Sequence, residues 1–349
     1  MNREQLLLGI AHGELISGLD LSKLDLADVD LSGALFENVQ LRGARLAGAR
    51  LDEAILVRVD LSEADLTGAS LRHTVLQECS AKRAILRGIR ATALRAIECD
   101  MSEVDFADGD LTLASFASCD LRGASCAGVT LDRATVVSSS VLGLDLSRAV
   151  LHQTVLLDAD LTTSLLEGVR FDGAILHGVN LHRQGLRGVS LAGSQLMGAD
   201  LTGADLGDAD LTGCNLKDAR LAGACLEGAR ADRALFVGAD LRGANLAGAS
   251  LVQAVFVSAD LEGADLRGAR LVQAILHRAK LVRATLSFAD LTEADLAHAD
   301  ATAADFVGAT LMRTKLHRLH DVDARFGDRS AALGDDAELA FAEDFRATR

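Results

Sequence analysis

The chain has 349 residues, with 35 Lys plus Arg against 50 Asp plus Glu, for a formal charge of −15. Trp, Tyr and Pro are absent and only 3% of residues are aromatic, although 49% are hydrophobic. This excludes a thick aromatic-filled core and a Pro-rich or collagen-like chain, and the acidity argues against direct nucleic-acid binding. No apolar run approaches a membrane span; the longest near the start is Leu6-Leu7-Leu8-Gly9-Ile10-Ala11, and Arg3, Glu4 and Glu14 around it make a poor secretory signal. Six cysteines without close pairing point to a reducing compartment, so a soluble cytoplasmic protein is expected.

Residues 1–15 open with a short amphipathic helix, read as an N-terminal cap. A repeat of five then takes over, covering residues 16–320. Positions whose number leaves remainder one on division by five are nearly all Leu or Phe from Ile16 to Leu316, and the register does not slip. Two residues earlier stands a small side chain, mostly Ala, and the residue between is often Asp or Asn, as in Ala199-Asp200-Leu201 and Ala244-Asn245-Leu246. A period of five is neither helix nor long strand. It predicts a very short extended segment with both apolar residues inward, then a turn. Gly is frequent at the second turn position (Gly43, Gly48, Gly203, Gly243), where a type II turn needs positive φ. Between residues 72 and 140 the centres shrink to Ala81, Ala91 and Ala96, while Ile89 and Leu94 grow beside the last two and conserve core volume.

The Ala-(Asp/Asn)-Leu-X-X pattern resembles the pentapeptide-repeat family. The resemblance implies an all-β solenoid, a right-handed quadrilateral β-helix of 20-residue coils. That means about 15 coils and, at ~4.8 Å per stacked strand, a length of roughly 70 Å. After His320 the pattern gives way to Asp321-Val322-Asp323-Ala324-Arg325-Phe326-Gly327. Residues 321–349 are read as an acidic C-terminal segment, helical over 331–348, with Leu339, Phe341 and Phe345 as its apolar positions. It is expected to cap the array or, as in several family members, to make a homodimer contact.

Residues 20 apart stack on one face once that coil size is accepted. The face centred on Phe36, Leu56 and Leu76 carries outward apolar columns: Leu35, Ile55, Val75, Val155, Ile175, Leu235, Val255 and Ile275, beside Val57, Leu157, Val237 and Val257. β-branched residues favour strands in any case, but the other faces lack such columns, so this one is read as a protein interface. The face centred on Leu26, Leu46 and Leu66 is the most acidic, with Asp25, Asp65, Asp105, Asp145, Asp205, Asp265 and Asp305. Asp at that position can bond nearby turn backbone; the functional alternative is an acidic strip for a basic partner.

No catalytic constellation, cofactor motif or metal site is expected. His177, His277 and His317 share an outward column but lie several coils apart, too far to hold one ion, and read as solvated. Cys79, Cys99 and Cys119, spaced by 20, read as small buried residues, and Cys225 as the only outward cysteine of a coil.

Two functions remain. One is a non-enzymatic scaffold binding a protein through the apolar face or the caps. Arg3-Glu4-Gln5-Leu6-Leu7 and Ala332-Leu333-Gly334-Asp335-Asp336 resemble the ends of pentapeptide proteins encoded with bacterial type VI secretion genes, which implies a secretion-system component as partner. The other is DNA mimicry: some family members are acidic dimeric rods that occupy the DNA groove of gyrase and give quinolone or antibiotic resistance. A charge of −15 over roughly 70 Å is sparse beside duplex DNA, with one charge per ~1.7 Å. Ice binding is set aside, because no outward column is a threonine ladder.

Overall fold

The computed structural model describes residues 3–344. The chain divides into two compact units, residues 1–180 and 181–349, each a parallel β-solenoid, with about 16 turns in all.

The pentapeptide centred on Leu201 shows why five residues suffice for a step. The Leu201 and Gly203 amides donate to Arg220 and Ala222 of the following coil at 2.7 and 3.0 Å, and the Asp205 amide donates to Gln184 of the preceding one at 2.9 Å. The Ala204 amide closes the turn on the Leu201 carbonyl at 3.0 Å. That leaves the Thr202 amide, which donates to the Asp200 carboxylate at 3.0 Å. All five donors are satisfied, as a close-packed chain demands. Gly203 has φ of 65°, as a type II turn requires. The same position is left-handed in nearly every repeat, and non-glycines outnumber glycines there. Glycine is needed where the previous coil lays a side chain over the turn: a Cβ at Gly308 would stand 2.7 Å from the Phe288 ring.

In the first unit α1 (Arg3–Ala11) buries Leu6 and Gly9 and leaves Leu8 exposed. One face of this unit forms a continuous parallel sheet of β1 (Leu15–Ser17), β2 (Leu35–Glu37), β3 (Ile55–Val57), β4 (Val75–Gln77), β5 (Arg95–Ile97), β6 (Ser115–Ala117), β7 (Thr135–Val137) and β8 (Val155–Leu156). Each residue pairs with the one 20 later, Leu35 with Ile55 and Ile55 with Val75. The remaining faces are ladders of single parallel bridges with the same offset, such as Asp25 to Arg45. In the second unit bridges serve on every face until β9 (Asp305–Phe306) pairs with β10 (Arg325–Phe326). The coil therefore continues past His320, with Phe326 stacked on Phe306 at 4.7 Å. A turn over 330–331 follows, Leu333 bridges Lys315, and α2 (Ala337–Asp344) comes last. The helix starts later than residue 331 because Asp336 caps it, accepting the Glu338 and Leu339 amides at 3.0 Å each.

Every centre from Ile16 to Leu311 is buried. Ala91 and Ala96 lie buried beside Ile89 and Leu94, so the exchanged sizes fill one space. Compensation is incomplete further on: Phe106, Phe116, Cys126, Val136 and Val141 help to line an apolar void of about 20 Å³. No helix among the described residues is long and apolar enough to cross a membrane.

The Asp200 bond is testable. Asp200→Ala should lower stability by about 1 kcal/mol, the usual worth of such a bond, whereas Asp200→Asn keeps the acceptor and should cost much less. Thermal or urea melts of the two variants check this, and equal losses would show that the carboxylate acts through its charge.

Candidate functional site

Three surfaces hold the outward residues of interest. Every apolar-face residue is exposed or half-buried, but the registers break the columns into patches. In the first unit Leu35, Ile55 and Val75 stand on the consecutive strands β2, β3 and β4, flanked by Val57. Leu15, 57% exposed on β1, extends this patch. Arg95, Ser115 and Thr135 on β5 to β7 then interrupt it before Val155 and Ile175, which are bridged to each other beside Leu157. In the second unit Leu235, Val255 and Ile275 bridge in succession, flanked by Val237 and Val257. Beneath them Phe236 and Phe256 stack at 4.7 Å with planes 3° apart, which holds these rungs rigid.

The acidic face is built differently. The seven aspartates Asp25, Asp65, Asp105, Asp145, Asp205, Asp265 and Asp305 each accept the amide two residues later, at 2.9 to 3.2 Å. Five also meet an arginine: Asp25 with Arg45, Asp105 with Arg87, Asp205 with Arg187, Asp265 with Arg267 and Asp305 with Arg325. The tightest is Asp265, where the Arg267 guanidinium at 2.6 Å holds the carboxyl below its usual range. Nor are the aspartates adjacent. Ile85 separates Asp65 from Asp105, and Cys225 and Asn245 separate Asp205 from Asp265. Ile85 and Leu165, 42% and 60% exposed, are apolar residues on this strip that the sequence reading passed over.

The C-terminal cap corrects the reading of the histidines. His317 is not solvated but 4% exposed, beneath α2. His298, from the turn position of the intervening coil, enters between His277 and His317, with ring centroids 5.2 and 5.4 Å from theirs. The gap in the column is thus filled from a neighbouring one, which spacing by 20 does not reveal. Glu343 of α2 reaches His298 at 3.0 Å and His317 at 3.2 Å. Desolvation raises the Glu343 carboxyl, but hydrogen bonds from His317 and His298 outweigh it and leave it below its ordinary range. Arg318 adds Asp344 at 2.7 Å and the Ala340 carbonyl at 3.0 Å. Polar contacts therefore dock α2, and Leu339 and Phe341 face outward at 45% and 75% exposure. Phe345 lies outside the described residues.

None of the six cysteines forms a disulfide. Cys79, Cys99 and Cys119 are buried, their thiols donating to the Leu56, Leu76 and Ala96 carbonyls at 3.3, 3.5 and 3.4 Å. Burial pushes the Cys126 thiol up to about 12, far from the thiolate that reacts.

The repeat itself decides the family. The description "Pentapeptide repeats" matches residues 20–56, 54–90, 99–135, 145–183, 194–230, 234–273 and 279–318, well over half of the chain. The chain belongs to the pentapeptide-repeat family. Solved pentapeptide structures similar to it include QnrB1, a plasmid-mediated fluoroquinolone resistance protein, 18% identical over 52% of this chain and 89% of that one, with a TM-score of 0.39. HetL, involved in heterocyst differentiation regulation in the cyanobacterium Nostoc, is 24% identical over 87% and 96%, with a TM-score of 0.17. A thylakoid-lumen member from Arabidopsis thaliana is 28% identical over 35% and 68%, at 0.23. The family assignment rests on the repeat match rather than on these superpositions. No curated protein matches the chain.

Burial makes the thiols of this pentapeptide-repeat protein unequal. An aromatic disulfide reagent should label one thiol quickly, the half-buried Cys225, and the other five only on denaturation. Fast labelling of more than one would show that a coil holding one of the five buried thiols opens readily.

Proposed function

We propose that this pentapeptide-repeat protein is a non-enzymatic scaffold that binds a protein partner through its apolar face. One observation carries the reading: Leu235, Val255 and Ile275 form an outward ladder on consecutive coils, flanked by Val237 and Val257 and braced by the Phe236–Phe256 stack. Leu235 and Ile275 are 39% and 40% exposed, large apolar side chains in water without a turn or core to serve. A rigid apolar patch of this kind is suited to the desolvated centre of a protein interface. The Leu35–Ile55–Val75 patch of the first unit is a second contact of the same chemistry. The resemblance of the termini to proteins encoded with type VI secretion genes favours a secretion-system component as partner, and Leu339 and Phe341 on α2 offer a surface for self-association.

Leu235→Asp with Val255→Asp should leave the circular dichroism spectrum intact, because both side chains point outward, and should abolish association. Light scattering reads self-association, and co-purification from the native host reads partner binding. Unchanged association in both would remove the apolar ladder from the interface.

DNA mimicry of the kind that acts on gyrase is the second reading, supported by the aspartate strip. Its charge is compromised, since five of the seven strip aspartates share an arginine and all seven use an oxygen on their own backbone. Aspartates two or three coils apart stand roughly 10–14 Å from one another, against one charge per ~1.7 Å along duplex DNA. Replacing the seven with Asn keeps the backbone acceptors and strips the charge, so it separates the two roles. Gyrase supercoiling should be unaffected by the wild-type protein up to roughly tens of micromolar. Inhibition below about a micromolar, lost in the Asn variant, would reverse the order of the two readings.

A further inference from the structure

The second unit ends in a cluster that neither the scaffold reading nor the coil's own bonding requires. His298 belongs to the turn after Leu296, His317 follows Leu316 on the next coil, and Glu343 comes from the last turn of α2. Three separated segments thus bring two imidazoles and a carboxylate to one point, with donor atoms within 4.8 Å of one another. A third imidazole, His277, stands edge-on to His298 at 5.2 Å between centroids.

We propose that His298, His317 and Glu343 form a binding site for a divalent cation of the zinc class, which pins α2 to the last coils. The first support is spacing. Tetrahedral ligands at ~2.0–2.1 Å from zinc are roughly 3.3 Å from one another. His298 Nε2 lies 3.0 Å from Glu343 Oε1 and His317 Nε2 3.2 Å from Oε2, and the set spans no more than 4.8 Å, a separation that small side-chain shifts close. The donor set is the second. Two imidazole nitrogens and one carboxylate oxygen suit zinc, cobalt or nickel, whereas calcium and magnesium take oxygen. Support around the ligands is the third. The His317 side chain is 5% exposed, and its Nδ1 accepts the Asp336 amide at 3.1 Å. The Asp335 carboxylate, 3.7 Å from that nitrogen and so not hydrogen-bonded to it, is placed to approach.

Ion binding requires one rearrangement of the ion-free bonding. The Asp336 amide donates to His317 Nδ1 at 3.1 Å, so the ring proton sits on Nε2 and points at Glu343. An ion on Nε2 takes the place of that proton, and for the ring to stay neutral the proton moves to Nδ1. The Asp336 amide then loses its acceptor there and must turn away as Asp335 closes in from 3.7 Å to accept. Arg318 competes for Glu343, its Nε being 2.9 Å from Oε2, but it keeps Asp344 and the Ala340 carbonyl when Glu343 turns to the ion.

The test uses the full chain after chelator treatment. Calorimetric titration with Zn²⁺ should show one saturable equivalent, and Co²⁺ should give the visible absorption of a tetrahedral centre. His298→Ala and Glu343→Gln, which alter the more exposed members of the cluster, should each weaken binding about tenfold or more. Zinc should also slow proteolysis within 337–344 in the wild type and not in the variants. Absence of saturable uptake by the wild-type chain would leave the cluster as a hydrogen-bonded clasp and overturn the proposal. So would uptake that both variants retain unchanged, which would place the ion on surface carboxylates.

Discussion

The hydrogen bond from the amide after each centre to the aspartate before it is the contact on which this coil depends. A pentapeptide step spends three amides on neighbouring coils and one on its own turn, and the geometry offers the fifth no carbonyl. Asp200 supplies the acceptor for Thr202, and the same bond recurs from Asp20 with Ser22 to Asp300 with Thr302. Where that aspartate is missing, a neighbouring coil can substitute: Asp52 reaches across to the Arg72 amide, and Asp232 to Val252. Acidity follows from this bonding requirement. A chain that repeats the bond this often becomes strongly acidic whether or not any partner reads the charge, and the arginines set beside the strip aspartates limit what a partner would find.

The turn imposes a second condition, with a different remedy. Its second residue must be left-handed, which costs a non-glycine side chain about 1–2 kcal/mol, yet Asp28, Arg58, Phe288 and many others accept it. The bond of that residue's amide to the next coil offsets the strain, as Phe288 shows by donating to Val307 at 3.1 Å. At some places crowding requires glycine, such as Gly308 under Phe288 and Gly228 under the Asp208 carboxylate, while at others, Gly198 and Gly243 among them, a Cβ would meet nothing and glycine only relieves the strain. At the crowded positions a side chain on one coil thereby excludes all but glycine on the next. This position also supplies His298, whose ring reaches a column that belongs formally to other residues.

The repeat was legible in the sequence because its causes are local. Inward Leu and Ala, the aspartate acceptor and the glycine turn all act within five residues, and stacking by 20 follows from them. The parts that escaped depend on contacts between segments. Phe326 keeps the five-residue phase, but without the flanking pattern its place above Phe306 was not apparent. The apolar face read as one column is several patches, because Arg95, Ser115 and Thr135 stand in the same register as Ile55. The helix was anticipated, though not its start at Ala337, which is set by Asp336. His317 looked solvated since nothing in the repeat announces that α2 returns to cover it.

The manner of that return bears on function. An end cap that merely shields an open coil would be expected to lay apolar side chains on the last rung, as α1 does with Leu6, buried at the start of the first unit. α2 does the opposite: Glu343 turns to His298, His317 and Arg318, the exposed Asp344 pairs with Arg318 at the rim, and Leu339 and Phe341 face water. An attachment made of charged and imidazole groups can be strengthened by an ion, whereas an apolar one would be indifferent to it. The outward Leu339 and Phe341 would then be presented on a helix whose hold on the coil varies with metal, joining the cap's chemistry to the association surfaces proposed for the scaffold. The apolar ladder at Leu235, Val255 and Ile275 has no such dependence, since its rungs are held by the backbone bridges and the phenylalanine stack beneath. The two surfaces therefore differ in kind: one is fixed by the repeat, the other adjustable at its end.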